Sequence, residues 1–121
     1  MVIEIPGVET DKGLKLCDGN VEMYLRFLHL YVSRMPTVLN NMRNVSENVL
    51  KDYTISAHSI KGISETIGAE EARKTAQQLE AMAKEGNLTG VLAQNNAFIK
   101  YSENLIAGIT AWLEKYDASK T

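Results

Sequence analysis

Apolar residues recur at spacings of three and four along the chain, and alternating β-branched runs are short wherever they occur. That periodicity is the signature of amphipathic helices, and it argues against a sheet. The punctuation divides the pattern. Pro6-Gly7 marks an irregular N-terminal arm, and a short helix is predicted over about residues 10–17, ended by Asp18-Gly19-Asn20. Asn20 is a good cap for a second helix carrying Met23, Phe27, Leu30 and Tyr31 on one side. Pro36 falls inside that pattern and is expected to kink or interrupt the helix near Arg34 or Met35. A third helix is predicted over about 47–67 with Gly68 as its stop, a fourth over about 69–85, and a last one from Leu88 or Gly90 to about Tyr116. Phe98, Tyr101, Leu105, Ile109, Trp112 and Tyr116 form the packing stripe of the last helix. Short connections between long amphipathic helices favour antiparallel neighbours. The expected fold is therefore all-α: an antiparallel up-down four-helix bundle with a short extra N-terminal helix, in a single domain over residues 1–121.

Composition removes several functions. The 13 Lys+Arg against 15 Asp+Glu leave a net charge of −2, without the basic surplus of a general nucleic-acid binder. One cysteine, Cys17, forms no internal disulfide and reads as a small, partly buried hydrophobe, which fits a reducing, cytoplasmic setting. No apolar run is long enough to span a bilayer, and the first residues lack a basic segment followed by an apolar stretch. Neither nucleic acid nor membrane is an expected partner, and the chain is expected to be a monomer.

The third helix carries the information. At about 100° per residue, Tyr53, Ala57, Ile60, Ser64 and Ile67 share one stripe roughly 80° wide, which faces the core. His58 lies roughly 140° around from Tyr53, in company with Thr54, Lys61, Gly62 and Glu65. An accessible histidine on a rigid helix is expected. Gly62, one turn further on, costs about 1 kcal/mol relative to alanine in a helix interior, yet it leaves room for a large partner beside the imidazole. Lys61 places an ammonium where it can screen a charged group added to the ring. A histidine, a cation and cleared space together read as a phosphoryl-acceptor site. Ile55, also on the outer face, suggests a docking surface.

The fourth helix offers an orienting group. His58 precedes Gly68 by ten residues and Glu80 follows it by twelve, so a hairpin turning at Gly68-Ala69 sets both at roughly 15 Å from the apex. Ala72, Ala76, Leu79 and Ala83 form the buried stripe of this helix, and Glu80 flanks it. A carboxylate accepting from Nδ1–H would fix the tautomer with its lone pair on Nε2 and stabilise positive charge on the ring. Register alone leaves Gln77 as the alternative to Glu80.

Ala57-His58-Ser59-Ile60-Lys61-Gly62, then Ile67-Gly68-Ala69 and Gln78-Leu79-Glu80, closely resemble the histidine-containing phosphotransfer (HPt) domain of multistep phosphorelays. Gly19 to Leu25 is similar to that family's usual second helix, and the resemblance extends over about residues 6–116. It implies a four-helix bundle in which His58 carries a phosphoryl group between the aspartates of response-regulator receiver domains, or takes it from a sensor histidine kinase. Its other implications are a carrier rather than an enzyme, with no ATP site and no cofactor of its own, the Mg2+ being expected on the receiver. Ile63 and Glu65 are bulkier than the family's usual residues there, which bears on the choice of partner.

The other candidates read differently. His29 has no carboxylate or cation placed around it in a comparable way and is expected to be structural or a surface residue. No metal site is expected, since the positions one turn from His58 are Thr54, Ile55, Lys61 and Gly62. Two alternatives stand beside the phosphocarrier: a helical-bundle interaction module, and the excised phosphoacceptor domain of a larger histidine kinase.

Overall fold

The computed structural model describes residues 2–120. Among the described residues five α-helices follow one another: α1 (Thr10–Leu16), α2 (Val21–Asn41), α3 (Leu50–Ile67), α4 (Glu70–Lys84) and α5 (Leu88–Ser119). A 3-10 turn over Glu47–Val49 leads into α3, and no strand occurs among the described residues beyond an isolated bridge between Ile5 and Val8. α3 packs against α2 and α4, α5 packs against the same two helices from the other side, and α1 lies on α2 and α3.

The stripe expected on α3 is the one that is buried, with Tyr53, Ala57, Ile60, Ser64 and Ile67 almost fully enclosed. α2 differs. Its core residues are Tyr24, Leu25, Leu28, Tyr31, Met35 and Leu39, while Met23 and Leu30 are exposed. The apolar arc on this helix is wider than one stripe, and the tyrosines win the core because each finds a polar partner there. Tyr24 donates to the Ile67 carbonyl at 2.7 Å, and the Tyr31 hydroxyl bonds Ser64 Oγ at 3.0 Å. Burial, aided by the nearby Cys17, pushes the Tyr24 phenol well above its ordinary range, so it stays a neutral donor. Between α3 and α5, Tyr53 donates to Asn95 Oδ1 at 2.8 Å, and Asn95 Nδ2 donates to the Met42 carbonyl at 2.7 Å.

Pro36 does not interrupt α2, which runs unbroken from Val21 to Asn41. Its ring is exposed. Buried Tyr31, Met35 and Leu39 anchor the helix on both sides of it. Burying a large side chain is worth about 1.5–3 kcal/mol, so these three outweigh the roughly 3 kcal/mol that an interior proline costs. The start of the third helix is also corrected: Glu47–Val49 is 3-10, and regular α-helix begins at Leu50.

The α3–α4 turn sets the register on which the site depends. Gly68 closes α3 at φ +80°, with the Gly68 amide on the Glu65 carbonyl (3.2 Å) and the Ala69 amide on the Ser64 carbonyl (2.9 Å). This Schellman arrangement needs a left-handed residue, and a Cβ at Gly68 would also strike the Glu9 carbonyl. α1 is held over the apex by the Glu9 amide, which donates to the Gly68 carbonyl at 2.8 Å, and by Lys12, 3.3 Å from Glu70.

Candidate functional site

With the core stripe of α3 turned inward, His58 must point out, and 66% of its side chain is exposed. The register of the hairpin brings Glu80 of α4 beneath it. Ala76, Leu79 and Ala83 seat α4 against the core, and Glu80 at the edge of that stripe is itself buried, with 6% of its side chain exposed. One carboxylate thus gathers three groups. Oε2 is 2.7 Å from His58 Nδ1, Oε1 is 2.9 Å from Lys61 Nζ, and Lys84 Nζ is 3.4 Å from Oε2. Gln77, the alternative from register, instead accepts from Arg73 Nη1 at 3.1 Å.

The electrostatics decide what the carboxylate does. Burial alone would raise the Glu80 pKa, but hydrogen bonds from Lys61 and His58 and the charges of Lys61 and Lys84 outweigh it, holding the pKa down at about 2. At neutral pH Glu80 is therefore an anion and only accepts. The Nδ1 of His58 must be the protonated nitrogen of the neutral ring, donating to Glu80. The lone pair is then on Nε2, the nitrogen away from the carboxylate.

Lys61 is not the free ammonium that its position on the helical wheel suggests. Its side chain folds back onto Glu80 and is only 29% exposed. Lys84 is the third member of the cluster and is not among the residues that the sequence singles out; its place four residues after Glu80 is the signal that could have found it. Gly62 is exposed, and a Cβ built there would meet nothing within 4 Å. Ile55 is an exposed apolar residue on this face, while Ile63 is half-buried and Glu65 exposed. Beside His58 on the α2 side opens a cavity of about 350 Å3 lined by Arg34, Val38, Ser59, Gly62, Ile63 and Thr66.

His29 lies apart from this cluster, on α2, with Nε2 4.0 Å from Asp117 and both side chains about half exposed. The carboxylate near it escapes the sequence reading because α5 continues to Ser119, past the expected end at Tyr116. Cys17 is buried rather than only partly so, and burial, with the nearby Asp18, raises its thiol pKa. Among the described residues there is no group of three or more His, Cys, Asp or Glu able to hold a metal, and no helix long and apolar enough to cross a membrane.

Fold and site together define an all-helical protein that displays one carboxylate-held histidine on a helix surface beside open space. The family model of the Hpt domain matches residues 26–118, and the chain belongs to that family. Hpt domains serve phosphotransfer in two-component systems, interacting with response-regulator receivers and kinases as carriers rather than catalysts. Searches of curated proteins and of solved structures gave no match.

Proposed function

We propose that this chain is a single-domain phosphorelay intermediate in which His58 Nε2 accepts a phosphoryl group from, or returns it to, the aspartate of a receiver domain. The observation that carries this reading is the 2.7 Å contact between His58 Nδ1 and the buried, anionic Glu80. In the transfer, the Nε2 lone pair attacks phosphorus and the P–O bond to the aspartyl carboxylate breaks. No proton need move, because Nδ1–H stays on the ring and Glu80 balances the positive charge that develops there. Lys61 and Lys84 offset negative charge beside the arriving group, Gly62 leaves it room, and Ile55 lies on the docking face. The Mg2+ of the reaction belongs to the receiver's acidic site, since phosphoryl transfer needs more charge neutralisation than this chain's cations supply. The packing of α2, α3, α4 and α5 in a ring, each on two neighbours, supports an antiparallel up-down four-helix bundle with α1 as the extra N-terminal helix.

The test is transfer from phosphorylated receivers. The protein should acquire acid-labile, base-stable label and return it to a receiver, and His58→Gln should fold and take none. A chain that binds receivers without ever being labelled is an interaction module instead.

A further inference from the structure

The cations around His58 stand on two sides of the ring and differ in what they have to do. Toward α4, Lys61 and Lys84 both face Glu80, so much of their charge is already answered by one carboxylate. Toward α2 stands Arg34. It shares the 350 Å3 cavity with His58 and Gly62, and it also lines a smaller cavity of about 120 Å3 with Phe27, Leu30 and Tyr31. Arg43 is joined to Glu103 and Arg73 to Glu70, whereas Arg34 has neither an ion pair nor a hydrogen-bonded side-chain partner among the described residues. An unanswered guanidinium beside the apolar walls of Val38 and Ile63 is suited to an oxyanion brought in from outside. The gap at Gly62, where a Cβ would find no neighbour within 4 Å, keeps this space clear.

We propose that Arg34 binds the phosphoryl group itself, donating two N–H bonds to its oxygens so that the group on His58 is held between Arg34 and the Lys61–Lys84 pair. This rests on His58 being the acceptor. Arg34 neither gains nor loses a proton. In transfer from a receiver the P–O bond to the aspartyl carboxylate breaks as the N–P bond to Nε2 forms, and the guanidinium neutralises charge on the oxygens that do not react. A planar fork suits two such oxygens better than an ammonium does, so Arg34→Lys should recover only part of the function.

The experiment compares wild type, Arg34→Ala, Arg34→Lys and His58→Gln for labelling by phosphoramidate, labelling by a phosphorylated receiver, and hydrolysis of the phosphohistidine. Arg34 is exposed, so its variants should melt as wild type does. Arg34→Ala should slow labelling by both donors on the order of tenfold, the lower end of what a charge-assisted contact gives, because the site is open to water. Arg34→Lys should fall between. A loss confined to the receiver would mean that Arg34 touches the partner protein, and it would overturn the proposal, as would unchanged rates with both donors. Labelling that survives in His58→Gln, where Arg34 is intact, would instead show that the acceptor is another residue, and Arg34 would lose its ligand with it.

Discussion

Glu80→Gln isolates the group on which the site is built. In the wild type the Glu80 pKa is lowered from 4.5 to about 2. A carboxyl whose pKa is depressed by folding adds stability that is fully present above its unfolded pKa and is lost as the pH falls through the folded one. At about 1.36 kcal/mol per unit, the shift from 4.5 to about 2 corresponds to stability on the order of 3 kcal/mol. The side chain is only 6% exposed, so solvent screening takes little from that figure. The glutamine variant has no such titration. Urea unfolding of both proteins at steps between pH 5 and pH 2 should therefore show the stability gap between them narrowing by up to about 3 kcal/mol as the pH falls. A gap that is the same at both ends would refute the anionic carboxylate, and with it the assignment of the proton to Nδ1.

Lys61→Ala should still accept the phosphoryl group, but more slowly, by a few-fold to a hundredfold, since one charge-assisted contact is worth about 1.5–3 kcal/mol; phosphoramidate labelling rates give the answer. Two of the helical glycines, Gly62 and Gly13, should respond oppositely to alanine in thermal melts. Gly62→Ala should stabilise by up to about 1 kcal/mol, because a Cβ there meets nothing. Gly13→Ala should cost about 1–3 kcal/mol, because its Cβ would strike the Tyr24 ring and the Ile67 carbonyl. Gly62→Gln should fold yet transfer poorly from a receiver while losing much less with phosphoramidate, and normal receiver transfer would end the cleared-space argument.

The site was largely legible because helical periodicity and one turn determine where its backbone lies. The wheel put His58 outside, and the ten- and twelve-residue offsets from Gly68 brought Glu80 to the same height. What sequence missed depends on how side chains reach. Whether Lys61 extends into water or folds onto Glu80 is a choice among rotamers of a long flexible chain, and a buried carboxylate settles it. The same applies to Lys84. Arg34 gave no local signal, because its relation to His58 exists only once α2 packs on α3. On α2, the choice between Met23 or Leu30 and Tyr24 or Leu28 for the core was made by partners far along the chain, Ile67 and Ser64 among them. Pro36 does not break α2 because tertiary burial, which the rule against interior proline omits, holds the helix on either side of it.

In the proposed transfer, Glu80 holds the proton of His58 on Nδ1 so that Nε2 takes the phosphoryl group. A long-range 1H–15N spectrum of the imidazoles, recorded before and after treatment with phosphoramidate, tests it directly. Neutral His58 should be protonated on Nδ1, and the phosphorylated ring should carry phosphorus on Nε2 with the Nδ1 proton retained. An Nε2–H tautomer, phosphorus on Nδ1, or a phosphorylated His29 with His58 unchanged would contradict it.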